Sequence, residues 1–127
     1  MKIAFVFPGQ GSQWVGMLDA WAGNSVVAET VEQASSALDQ NIAALISYGP
    51  ADQLDLTTNT QPAMLTAAVA MYRAWRRAGG PAPDLVAGHS LGEYSALTAA
   101  GALTLEDAVR MVRIRADAMQ AAVPVGT

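Results

Sequence analysis

An α/β fold built on a parallel sheet, with helices on both faces, is predicted from three features of this sequence. Residues 2–7 (Lys-Ile-Ala-Phe-Val-Phe) are nearly all apolar, β-branched or aromatic, the pattern of a strand buried on both faces. Residues 84–89 (Asp-Leu-Val-Ala-Gly-His) carry a second run of that kind. The segments between and after them have helical periodicity punctuated by Gly and Pro, so strands alternate with helices, as parallel crossovers require.

The 127 residues give room for one small domain with a true core. Hydrophobic residues make up 52% and charged residues 14%, a low charge content for a free-standing domain. That balance fits a tightly wound core, or a piece of a larger protein whose remainder covers apolar surface. The net charge of −4 and the absence of a Lys/Arg run give no electrostatic support to nucleic-acid or anionic-membrane binding. With no cysteine there is no disulfide, thiolate metal site or cysteine nucleophile. Residues 3–7 are too short for a signal-peptide core, and the apolar run 63–72 stops at Arg73, short of a membrane span. A cytoplasmic location is the default expectation.

In chain order, the first strand ends at Pro8-Gly9-Gln10-Gly11-Ser12-Gln13. A loop at the carboxyl end of a buried strand is where open α/β folds hold ligands, although an ordinary strand-to-helix turn reads the same way. Asn24 suits the cap of a helix through Val27, Val31, Ala34 and Leu38, with Glu29 and Glu32 toward its positive end. A short helix over 42–46 precedes Gly49-Pro50, and 52–59 reads as loop or short turns. Thr60-Gln61-Pro62 opens a helix that is apolar nearly all round from Ala63 to Ala70, and hence central. Arg73, Arg76 and Arg77 crowd its last turn, where cations suit the dipole, before Gly79-Gly80-Pro81.

The second strand runs into Gly88-His89-Ser90-Leu91-Gly92, followed by a helix over 91–100 that stops at Gly101. Strand, tight turn and helix with Gly on both sides of a serine is the nucleophile-elbow pattern G-x-S-x-G. The glycines let strand and helix approach while Ser90 stands exposed, with backbone N–H groups at the helix N-terminus facing any oxyanion. A glycine-rich turn with a surface serine is the plainer alternative.

Thr104, with Glu106 and Asp107, caps a last helix to about Ala122. At 100° per residue, Leu105, Val109, Val112, Ala116, Met119 and Val123 share an apolar stripe. Glu106/Arg110 and Arg113/Asp117 are placed to pair on the polar face. Ile114 fits neither side, which leaves room for a second buried face. Arg115 lies beside the stripe, near Ala108, Met111, Met119 and Ala122. Ser90 to Ala100 rises about 15 Å and Thr104 to Arg115 about 16 Å, so an antiparallel pair returns Arg115 to the level of Ser90. Arg115 is then a clamp for a substrate carboxylate, or an arginine that snorkels to solvent or pairs with an acid such as Glu93.

A serine nucleophile needs a general base. The single histidine, His89, adjoins Ser90 in the turn and points elsewhere, so it reads as a supporting residue. Either the base lies in sequence further on, or Ser90 is not a nucleophile; residues 123–127 read as a loop in mid-protein.

Phe5-Val6-Phe7-Pro8-Gly9-Gln10-Gly11-Ser12-Gln13, then Thr60-Gln61-Pro62-Ala63, then Gly88-His89-Ser90-Leu91-Gly92-Glu93-Tyr94-Ser95-Ala96, then Arg115 resemble, in order, the acyltransferase family of fatty-acid and polyketide synthesis, which includes the malonyl-CoA:acyl carrier protein transacylases. The resemblance implies an α/β-hydrolase-like core, incomplete here. Residues 1–127 would be the N-terminal part of the large acyltransferase subdomain. A ferredoxin-like subdomain and a catalytic histidine would come from sequence further on. By the same resemblance, Ser90 takes a malonyl group from coenzyme A and passes it to the phosphopantetheine thiol of acyl carrier protein. The backbone N–H groups of Gln10 and Leu91 form the oxyanion hole, Arg115 holds the malonyl carboxylate, and Gln61 lines the pocket. Coenzyme A thioester, acyl carrier protein and the rest of the enzyme are the implied partners, with no metal and no permanently bound cofactor. A serine hydrolase such as a thioesterase explains Ser90 but leaves Arg115 and the Gln10 loop unused. A non-catalytic fragment that binds carrier protein is the alternative from another class.

Overall fold

The computed structural model describes residues 1–123; residues 124–127, most of the expected closing loop, lie outside them. Strand β1 (Ala4–Phe7) is followed by a single 3-10 turn (Asp19–Trp21) and helices α1 (Ser25–Leu38), α2 (Ile42–Tyr48), α3 (Ala51–Leu54) and α4 (Thr57–Arg77). Strand β2 (Leu85–Gly88) then leads into α5 (Gly92–Ala99) and α6 (Leu105–Ala122). The strands pair in parallel, with Phe5 opposite Val86 and Phe7 opposite Gly88. The α/β class and the parallel pairing are those the sequence predicts.

Helix α4 is the axis of the molecule. Every residue from Thr60 to Ala70 is buried, because α1 and α6 pack along it and α5 closes on it. Leu65 and Val69 meet Val31 of α1 and Val109 and Val112 of α6 in one apolar cluster. Leu65 is fully buried, so Leu65→Ala is expected to cost about 2–5 kcal/mol of stability, read as a lowered denaturant midpoint. An unchanged midpoint would mean that α4 is not the centre of the core.

The sheet is covered on one side. Phe5 and Phe7 meet the Tyr72 ring of α4 edge-on at centroid distances of 5.6 and 6.3 Å. Val86 and, from α5, Ala96 and Ala99 belong to the same cluster. Ala4, Val6, Leu85 and Ala87 point the other way, with Val6 74% and Leu85 63% exposed. Within the described residues, α4 and α5 cover one face of the sheet, that of Phe5 and Phe7.

The helix caps at Asn24 and Thr104 are as expected. Asn24 Oδ1 accepts from the N–H groups of Val26 and Val27, and Thr104 Oγ1 from that of Asp107. The segment 52–59, read as loop or short turns, contains most of the one-turn helix α3 and the first turn of α4. Thr60 is inside α4, its hydroxyl bonded back to the Leu54 and Leu56 carbonyls, and Pro62 lies beyond the first turn. Arg73 donates to Gln33 Oε1 at 2.8 Å and to Thr30 Oγ1 at 3.3 Å, which ties α4 to α1 rather than completing a helix end. The expected i,i+4 pairs on α6 do not form. Arg113 bonds Gln40, Asp117 bonds Thr58, and Arg110 approaches Asp107 at 4.0 Å. Partners outside α6 take Arg113 and Asp117, while Arg110 leans on Asp107 of its own helix. Ile114 is 71% exposed and Met119 42%, so α6 has one buried face, which ends at Ala116.

Candidate active site

Ser90 sits between β2 and α5 with φ of 55°, in the left-handed region. A non-glycine residue held there stores about 1–3 kcal/mol of strain, which the surrounding packing must sustain. The two flanking glycines make that packing possible. A Cβ on Gly88 would lie 1.9 Å from the Gly92 carbonyl oxygen, and one on Gly92 would lie 2.1 Å from the Phe7 carbonyl oxygen. Helix α5 starts at once, with the Gly92 N–H donating to the His89 carbonyl at 2.9 Å and the Glu93 N–H to the Ser90 carbonyl at 3.0 Å. Ser90 itself is exposed.

The loop after β1 lies against this turn. A Cβ on Gly9 would be 2.8 Å from the His89 carbonyl oxygen and 3.7 Å from Ser90 Cβ, so only glycine lets the two backbones come this close. Gln10 follows directly, its side-chain Nε2 donating to Thr57 Oγ1 at 2.8 Å. Among the described residues, neither the Gln10 nor the Leu91 backbone N–H donates a hydrogen bond.

Arg115 reaches Ser90. Its Nη2 donates to Ser90 Oγ at 2.9 Å and its Nη1 to Gln61 Oε1 at 2.7 Å. Its Cζ stands 5.7 Å from the centre of the Tyr94 ring, within cation–π range. The level estimated from helix rise thus brings Arg115 to Ser90, and Glu93 is exposed and not its partner. An amide, a hydroxyl and an aromatic face are all neutral. Among the described residues Arg115 has no carboxylate partner, so its charge is uncompensated.

Gln61 is completely buried, with its Nε2 donating to Met119 Sδ at 3.2 Å. It stands behind Arg115 and holds the guanidinium, rather than lining open space. His89 is exposed and makes no hydrogen bond to the Ser90 hydroxyl. Among the described residues no group of three or more His, Asp or Glu is gathered as for a metal ion.

Two residues of the site were given no role in the sequence reading. Tyr94 is one helical turn beyond Ser90, and that i,i+4 spacing was the available signal. Thr57 was hidden in a segment read as loop or short turns.

The family described as the acyl transferase domain matches residues 4–127. The chain is 57% identical over 127 residues to a malonyl CoA-acyl carrier protein transacylase of Escherichia coli strain K12, covering 99% of this chain and 41% of that protein. It is 67% identical to the crystal structure of an acyl-carrier-protein S-malonyltransferase from Burkholderia pseudomallei 1710b, with a TM-score of 0.95, covering 99% of this chain and 41% of that one. A type II polyketide synthase acyl-carrier protein in complex with its malonyl-transacylase also matches. There the identity is 50% and the TM-score 0.95, over 100% of this chain and 41% of that one. The chain thus spans about 41% of the length of these relatives.

Proposed function

The chain belongs to the acyl transferase family, and from that premise we propose that it carries the nucleophile and the acyl-selecting arginine of a malonyl-CoA:acyl carrier protein transacylase. Ser90 Oγ attacks the thioester carbonyl of malonyl-CoA. A carbon–oxygen bond forms, and the tetrahedral oxyanion is held by the N–H groups of Gln10 and Leu91. The carbon–sulfur bond then breaks and coenzyme A leaves, with malonate esterified to Ser90. The phosphopantetheine thiol of acyl carrier protein attacks this ester, and the acyl group moves to sulfur while Ser90 regains its proton. A histidine outside these 127 residues passes the Ser90 proton to the departing coenzyme A thiolate and later carries the phosphopantetheine thiol proton to Ser90, since His89, the one histidine here, makes no bond to Ser90. Both substrates are water-soluble, and a cytoplasmic reaction suits them.

One observation carries this reading above all: an uncompensated guanidinium donates to the hydroxyl on the elbow at 2.9 Å. A plain ester or thioester hydrolase has no need of a cation there. A substrate with a free carboxylate next to its reacting carbonyl does, because a bidentate arginine pair orients it. Gln61 and Tyr94 support the same role by fixing the guanidinium without neutralising it.

The test is covalent. The full-length protein mixed with malonyl-CoA, without carrier protein, is expected to gain one malonyl group on the peptide that contains Ser90, seen by mass spectrometry. Addition of carrier protein should discharge it. Coenzyme A release with no adduct at any time would favour the hydrolase alternative.

A further inference from the structure

The start of α4 is a crossing point between the two loops and helices that make the site. Gln10 Nε2 donates to Thr57 Oγ1 at 2.8 Å, and the Thr57 N–H donates to Gln120 Oε1 of α6 at 3.1 Å. The neighbouring Thr58 hydroxyl bonds Asp117, also of α6. On the loop side, the Gly11 N–H donates to Gln13 Oε1 at 2.7 Å, and Gln13 Nε2 donates to Asp55 Oδ1 at 2.9 Å. The residue before the helix, Leu56, supplies no side-chain cap. The first-turn N–H groups of a helix need outside acceptors, and here Gln120 is one of them.

From these contacts we infer that Thr57 is a positioning residue for the acyl-transfer step. The inference rests on the assignment of Ser90 as nucleophile and of the Gln10 N–H as an oxyanion donor. The Gln10 side chain is exposed and is otherwise free to turn, so its bond to Thr57 sets the orientation of the Gln10 peptide against the elbow. The same residue is bonded through its backbone to α6, which carries Arg115. Thr57 therefore sets the oxyanion donor and the carboxylate-binding arginine in register. Thr57 itself touches neither the nucleophile nor any acyl group. Its effect should fall on the rate of bond making and leave donor affinity alone, because an oxyanion donor acts only on the charge that develops in the transition state.

The test compares Thr57→Val, which keeps shape and loses the hydroxyl, with Thr57→Ser, which keeps the hydroxyl. Both are made in the full-length protein, and the rate of malonyl loading is followed in a single turnover over a range of malonyl-CoA concentrations. Complete loss of an oxyanion donor costs about 10²–10³-fold, so a misaligned one is expected to slow loading by about tenfold or more. The half-saturating donor concentration should stay put, and Thr57→Ser should return the rate to near wild type. Gln10→Met removes the other end of the same bond while keeping the backbone N–H. Its side chain is exposed, so this variant keeps the test alive if Thr57→Val folds poorly. The two changes together should be no worse than either alone, since they break one shared bond. Wild-type loading by Thr57→Val, equal slowing by Thr57→Ser, or additive losses in the double variant would each overturn the inference. Loading that persists in Ser90→Ala would instead overturn the nucleophile assignment beneath it.

Discussion

Ser90→Ala is expected to abolish the malonyl adduct while leaving the fold intact. The change removes the one atom that forms the new bond, and no neighbour can replace it: Arg115 is a cation, Gln61 an amide and Tyr94 is engaged through its ring face. Loss of a serine nucleophile in hydrolases lowers turnover on the order of 10⁶-fold, so loading should fall below detection by mass spectrometry. Stability should hold or fall slightly. Alanine keeps the positive φ of 55° and its strain, and the position is exposed, so the main loss is one hydrogen bond from Arg115. An adduct of undiminished yield on the Ser90→Ala protein would move the nucleophile elsewhere.

Arg115→Ala is expected to cut malonyl transfer far more than acetyl transfer. A malonyl group presents a free carboxylate; an acetyl group does not. Charge-assisted hydrogen bonds contribute about 1.5–3 kcal/mol each, so loss of a bidentate pair should lower malonyl loading by about 10² to 10⁴-fold. Acetyl loading should change little or improve. In the unliganded site Arg115 donates to the lone pairs of Ser90 Oγ, and its removal leaves the hydroxyl unencumbered. Arg115→Lys should not rescue selectivity, because a point-charge ammonium cannot form the two parallel bonds or bridge Gln61 and Ser90 together. Competition between malonyl-CoA and acetyl-CoA, scored by the ratio of the two adducts, reads this out. Equal losses for both donors would make Arg115 structural.

The features legible in the sequence are those whose cause is local. The elbow could be read because its geometry depends on glycines at fixed distances from Ser90, and those glycines prevent collisions of about 2 Å. Arg115 could be brought to the level of Ser90 from helix rise, given an antiparallel pair across Gly101 to Leu103. The core run of α4 was visible because it lacks a polar face. What escaped depends on partners distant in sequence. The first turn of α4 looked like loop or short turns because its N–H at Thr57 is satisfied by Gln120, which no nearby residue announces. The polar face of α6 was misread because Gln40 and Thr58 intercept Arg113 and Asp117 before those residues can pair with their own helix. The resemblance implies Gln61 as a pocket residue; its full burial and its bond to the guanidinium are matters of packing that spacing does not reveal.

Gln120 caps α4 from 63 positions further along the chain, and this orders events in time as well as space. Helix α4 can begin from its apolar middle, where burial of Ala63 to Ala70 depends on early collapse. Its first turn has no local cap to hold it and must wait until α6 has been formed and brought back, a contact with a high loop-closure cost. The Gln10 loop hangs on that turn through Thr57 and Asp55, by way of Gln13, so it sets later still. The expected result is that the site loosens before the core, read as faster amide hydrogen exchange at Thr57 than at Leu65. Early loosening would silence the site while the core around Leu65 still stands.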